Sequence, residues 1–192
     1  MASFTTDGVQ IAYDDIVPPG GGAHAIVLIH GFASNRIEGW KRTGWYAAFE
    51  RRGMRVIALD QRGHGESQKL YEPQAYAREQ LAADVLNLMD HLGVDRADIF
   101  GYSMGTRTAL ELAIAQPDRV SHLILGGVGG KLLDKAPDVA GEPMADAMLA
   151  EDPSTIQEPM LRSFRQFADE QGEDLKALAA VTRVKNMPFN RD

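Results

Sequence analysis

The chain has 192 residues, enough for one domain whose core buries about 70% of the surface its unfolded chain would expose. Its net charge of −7 excludes the basic footprint needed for nucleic acid or an anionic membrane, so neither is an expected partner. There is no cysteine, which removes disulfides, thiolate zinc sites and cysteine nucleophiles, and no cofactor or metal is expected. The start, MASFTTDGVQIAYDD, has neither the basic n-region nor the apolar h-region of a signal peptide, and no apolar run reaches the roughly 20 residues of a membrane span. These features fit a cytoplasmic protein.

The first element is a hairpin, because Asp7-Gly8 lies between two short β-prone runs, Phe4–Thr6 and Val9–Tyr13. The stretch PPGGG at 18–22 reads as a loop. Four apolar runs follow: AIVLI at 25–29, RVIAL at 55–59, ADIF at 97–100 and VSHLIL at 120–125. Each is continuous rather than alternating, which predicts strands buried on both faces of a parallel sheet. Helical patterns separate them. Residues 44–52 end at Gly53, residues 75–92 place Leu81, Val85, Leu88 and Leu92 on one face, and residues 103–115 stop before Pro117. Beyond residue 130 the patterns are helical only, over 142–150, 154–171 and 174–186, with Ser154 and Gln157 spaced as a capping box. The fold class predicted is α/β: a mostly parallel sheet with an N-terminal hairpin and flanking helices over 1–130, then a helical segment over 131–192.

The stretch FGYSMGTR at 100–107 contains Gly101-Tyr102-Ser103-Met104-Gly105, a G-x-S-x-G pattern where a strand run turns directly into a helix. Such a turn requires small residues at 101 and 105. It strains the serine backbone and exposes the Ser103 Oγ at the C-terminal edge of the sheet. The helix N-terminus there favours negative charge, with the Met104 N–H as one oxyanion donor. A second donor, the Phe32 N–H, is expected from the turn at His30-Gly31-Phe32 after the neighbouring strand. Asp60–Ser67, DQRGHGES, reads as a tight loop beside the site.

Together HGF at 30–32, DQRGHGES at 60–67 and GYSMG at 101–105 resemble the α/β-hydrolase superfamily, over about residues 4–130. The segments LGVDRADIFGYSMG and QPDRVSHLILGG are similar to that family's approach to its nucleophile and to its next strand. The resemblance implies Ser103 as nucleophile, the N–H groups of Phe32 and Met104 as oxyanion hole, and a helical cap over the site. It also implies a sheet truncated after the sixth strand, before the strands that would carry the acid and the histidine.

Of His24, His30, His64, His91 and His122, only His30 and His64 are expected at the edge that carries Ser103, although packing a loop is the commoner role for such a histidine. Asp134 and Asp60 are the alternatives for an acid. An uncovered strand at 120–127 is expected to recruit a partner, such as a second copy in a homodimer. The function expected is a serine hydrolase, of the carboxylesterase type, acting on small esters. A C–C bond hydrolase of β-diketone-like substrates shares the motifs, and a non-catalytic protein on this scaffold is the other reading. Nucleotide binding is set aside, because Gly126–Lys131 does not keep the P-loop spacing.

Overall fold

The computed structural model describes residues 2–21, 24–129, 141–185 and 189. The strands are β1 (Ala2–Thr6), β2 (Val9–Ile16), β3 (Ala25–Ile29), β4 (Arg55–Leu59), β5 (Ala97–Tyr102) and β6 (Val120–Gly126). The helices are α1 (Trp45–Glu50), α2 (Arg78–His91), α3 (Met104–Ala115), α4 (Gly141–Leu149), α5 (Pro159–Gln171) and α6 (Leu175–Arg183). One six-stranded sheet forms in the order β1-β2-β4-β3-β5-β6. The hairpin pairs antiparallel and β2 joins β4 antiparallel, while β4, β3, β5 and β6 run parallel. The sheet is the one the apolar runs predict.

β3 and β4 are apolar throughout because both of their faces are covered. On one face Val27, Ile29, Ile57, Leu59 and Ile99 pack with Val85, Leu88 and Met89 of α2 and Leu112 of α3. On the other, Ile26, Leu28, Val56, Ala58 and Phe100 meet Trp40 and Tyr46. Burying each such side chain is worth about 1.5–3 kcal/mol, so the two layers supply most of the driving force. β6 is not buried on both faces as its apolar run suggests, but is the uncovered strand also expected at 120–127. Its residues are half-buried or exposed, with Ile124 and Leu125 both 39% exposed. Val120 and Leu123 pack on the α2/α3 layer, but β6 is the sheet edge and its second face has no cover among the described residues.

Helix boundaries shift where capping chemistry overrides periodicity. Ser154 does not open a helix. Asp152 caps a single 3-10 turn, Pro153–Thr155, by accepting from the Ser154 N–H at 2.8 Å. α5 starts only at Pro159, where proline fixes φ and has no N–H to lose, and the Glu158 carboxylate accepts from the Leu161 N–H at 2.7 Å. Likewise a 3-10 turn, Pro73–Tyr76, precedes α2. Helices α4, α5 and α6 bury Met144, Met148, Ala168 and Leu178 against Ala33 and Phe32, in the loop that follows β3. Ala180 and Val181 close on Tyr76.

Between β5 and α3 there is a single residue, Ser103. A Cβ on Gly101 would collide with the Gly105 carbonyl, and one on Gly105 would collide with the carbonyls of Ile29 and His30. α3 is further held to α2 by Arg78, whose Nε donates to Glu111 at 2.6 Å. Arg62, in the loop after β4, makes a bidentate buried pair with Asp84 of α2, both contacts 2.7 Å.

Two stability outcomes follow from these contacts. Gly105→Ala should cost about 3 kcal/mol or more by overpacking against backbone, whereas Gly8→Ala in the exposed hairpin turn, where nothing among the described residues lies within 4 Å, should cost only about 1 kcal/mol for its left-handed backbone. Asp84→Ala should cost about 3–5 kcal/mol by leaving a buried guanidinium without its partner. Urea denaturation of the three variants checks both, and a Gly105→Ala protein as stable as the parent would refute the close-packing argument.

Candidate active site

Ser103 sits at φ 51°, ψ −113°, a conformation that L residues seldom adopt. It is held there by its neighbours. The Ser103 N–H donates to the Gly126 carbonyl at 2.8 Å, and its carbonyl accepts from the Thr106 N–H at 3.0 Å. The Thr106 hydroxyl lies 3.0 Å from the carbonyls of both Gly101 and Gly126, so one side chain ties β5, β6 and α3 together under the serine. Met104 is the first residue of α3, so its N–H belongs to the helix's free N-terminal donors.

The second wall is the turn after β3. The Ser34 N–H donates to the Gly31 carbonyl at 3.3 Å, and Ala33 takes φ 56° where a type II turn prefers glycine. A Cβ on Gly31 would stand 3.3 Å from the Ser103 Cβ, so this loop passes directly over the serine. Phe32, Ser103 and Met104 therefore line one pocket of about 330 Å³, together with Met144, Met160 and Phe164 from α4 and α5. All three residues expected from the sequence meet in this pocket. Arg78 and Arg107 also line it, and neither was anticipated. Arg107 was legible in principle, being four residues after Ser103 and so on the same face of α3.

The loop DQRGHGES proves to be a strut. Asp60 is fully buried, ion-paired with Arg36, and accepts from the N–H groups of Arg36 at 2.7 Å and Glu66 at 2.9 Å. The Ser67 hydroxyl donates to the Asp60 carbonyl at 2.6 Å and accepts from the Ala12 N–H at 2.9 Å, which fastens the loop to β2. Gly65 leaves no room for a side chain against the Asp60 carboxylate, and its N–H donates to Glu173, between α5 and α6, at 2.9 Å. Asp60 is thus a structural acid. Asp134 lies outside the described residues.

No histidine among the described residues is hydrogen-bonded to Ser103. His30 is buried and committed at both nitrogens: Nδ1 lies 2.8 Å from the Gly31 carbonyl, and Nε2 accepts from the Gln61 N–H at 2.9 Å. His64 is buried, with Nδ1 3.2 Å from the Arg62 carbonyl and Nε2 without a partner. His24 and His122 face Asp98, and His91 faces the Tyr13 hydroxyl at 3.3 Å. Burial, then the neighbouring His30, pushes the His64 pKa down to about 3 from its ordinary 6.5. Burial also lowers His30, although Asp60 pulls the other way.

Both imidazoles therefore stay neutral in the fold where the unfolded chain would take up protons. Their contribution to stability is complete above the ordinary value of 6.5 and is lost as pH falls below it, for His64 by about 1.4 kcal/mol per pH unit down to about pH 3. Urea midpoints should fall between about pH 7 and pH 5.5, and His64→Asn should flatten that slope. A midpoint that does not move with pH would contradict neutral burial.

The comparisons with known proteins agree with this architecture. The family model described as alpha/beta hydrolase fold matches residues 24–180. A 2-hydroxy-6-oxononadienedioate/2-hydroxy-6-oxononatrienedioate hydrolase from Burkholderia vietnamiensis is 32% identical over 193 residues, covering 96% of this chain and 62% of its own. Epoxide hydrolase B from Mycobacterium tuberculosis is 32% identical over 113 residues, covering 56% of this chain and 29% of its own. The crystal structure of a probable hydrolytic enzyme from Pseudomonas aeruginosa PAO1 superposes with a TM-score of 0.69 at 27% identity, covering 95% of this chain and 63% of that one. The chain spans less than two thirds of the length of the Burkholderia relative. A sheet, a strained serine junction and a family match that covers all three motif loops lead to one assignment: the chain belongs to the α/β-hydrolase family.

Proposed function

We propose that Ser103 is the nucleophile of a carboxylic ester hydrolase that takes small, largely apolar esters. The observation that carries this reading is Ser103 itself, strained at the strand–helix junction and open to a pocket lined mostly by apolar side chains. A backbone cost of about 1–3 kcal/mol persists only where the surroundings enforce it, and such strain clusters at reacting residues. In the reaction, the Ser103 Oγ attacks the ester carbonyl carbon and its proton passes to solvent water. The oxyanion that forms is met by the N–H groups of Phe32 and Met104, and by the dipole of α3. Collapse expels the alcohol and leaves an acyl-serine, which water hydrolyses to the free acid.

A second reading, hydrolysis of a C–C bond in a carboxylate-bearing diketone, is favoured by one observation: Arg107 lines the pocket one helical turn from Ser103. The Burkholderia relative's name describes a hydrolase of dicarboxylates, in keeping with such a charge.

No histidine among the described residues is bonded to Ser103, so none of them is placed as general base for acylation or deacylation. Oxyanion stabilisation and binding alone still supply about 10³–10⁴-fold over water in triad enzymes stripped of their triad. An activated ester such as p-nitrophenyl acetate should therefore give a burst of about one equivalent of nitrophenol per chain, then slow turnover. The acetyl mass should sit on the peptide that contains Ser103, and Ser103→Ala should abolish burst and adduct. Absence of any burst or fluorophosphonate label, with Ser103→Ala indistinguishable from the parent, would sink the catalytic reading in favour of a binding role.

A further inference from the structure

Three residues that the serine chemistry does not use meet at the opposite end of the sheet. His24, just before β3, places Nε2 2.8 Å from Asp98 Oδ2, and His122 of β6 places Nδ1 2.7 Å from Asp98 Oδ1. One donor atom from each of the three falls within 4.8 Å of the other two. The grouping is produced by a break in the strand register. Ala97 pairs with Val120 but Ile99 pairs with Leu123, so Ser121 and His122 together oppose Asp98. In an unbroken ladder His122 would oppose Ile99 and point to the other face. The bulge turns it onto the face that carries Asp98 and His24.

We infer that His24, Asp98 and His122 form a binding site for one divalent transition-metal ion of the zinc class, which fastens the edge strand β6 to β5 and to the start of β3. Two imidazole nitrogens and a carboxylate are the donor set that such ions prefer, whereas calcium and magnesium favour oxygen-only shells. The ion takes the place of the two N–H protons that now point at the carboxylate. Each neutral ring moves its proton to the other nitrogen, His24 Nδ1 or His122 Nε2, and a protonated ring releases one to solvent. Metal bonds of about 2.0–2.1 Å require the two N···O gaps to open slightly. The rings have room to turn, since the side chains of His24 and His122 are 45% and 75% exposed. Water completes the coordination from that open side. Asp98 lies five residues before Ser103 along β5, about 16 Å away, so the ion acts on the sheet edge and not on the serine.

The test is zinc titration of untagged, metal-stripped protein by calorimetry, with hydrogen exchange of the β6 amides in parallel. The expected result is one Zn²⁺ per chain, no competition from Ca²⁺ or Mg²⁺, and slower exchange in β6 when the ion is bound. His24→Gln, Asp98→Asn and His122→Gln should each weaken binding by about 10-fold or more. His122→Gln is the decisive variant, because the side chain is exposed and its replacement should leave circular dichroism unchanged. Lack of saturable zinc binding by the parent, or binding that survives His122→Gln, would overturn the site. Binding without protection of β6 would overturn its fastening role. The Ser103 burst, measured in the same samples, should be unaffected by metal, so this inference and the ester-hydrolase reading fail separately.

Discussion

The contact between Gly105 and the carbonyls of Ile29 and His30 is the constraint on which the rest of the site depends. It lets α3 start directly against the end of β3, with no intervening side chain. Because α3 must start there, only one residue connects it to β5, and Ser103 has to absorb the whole change of direction at φ 51°. The same approach brings the turn after β3 over the serine. A strained serine, a helix N-terminus beneath it and backbone donors on either side are therefore consequences of one close approach. Strain at Ser103 and Ala33 costs about 1–3 kcal/mol each, an amount that the packing of Ile99 and Leu112 beneath the junction readily offsets.

A second tier of polar contacts keeps the loops of this edge in place. Asp60 holds Arg36 and two backbone donors, Ser67 reaches from that loop to β2, and Glu173 receives Gly65 from the helical side. Burying these charges is costly unless donors meet them, and here three donors meet the Asp60 carboxylate. The tier explains why α4–α6 meet the sheet at Phe32 and Ala33. The loop that follows β3 is anchored from below by Asp60 through Arg36, and from above by methionines 144 and 148.

The fold was legible where local chemistry decides the outcome. The apolar runs at 25–29 and 55–59 announced strands covered twice, and Asp7-Gly8 announced the hairpin. The run at 120–125 reads the same way but makes an edge, as the resemblance and not the run itself implied, because apolar composition says what a strand could bury and not what is present to cover it. Ser154 misled because Pro153 and Pro159 divide the segment into a turn and a helix, each with its own acidic cap. That Ser103 and Met104 would share a pocket with Phe32 was legible through the G-x-S-x-G spacing, which sterics set, and through the turn expected after the neighbouring strand. The Arg62–Asp84 pair, the Glu173 contact and the histidines around Asp98 join residues far apart in sequence, and no local pattern encodes them.

The same packing that sets the turn after β3 over Ser103 holds the nearest histidines away from the serine. His30 fixes the turn carrying Phe32 by bonding the Gly31 carbonyl and the Gln61 N–H, so swinging its ring toward Ser103 would break the turn that passes over the serine. His64 has a free Nε2, but a site that holds its pKa near 3 makes it a poor base at neutral pH, because a general base works best with a pKa near the operating pH. Moving His64 into water would raise its basicity only by opening the packing between His30 and Phe32. Within the described residues, holding the turn after β3 in place and freeing a nearby histidine as a base are therefore alternatives.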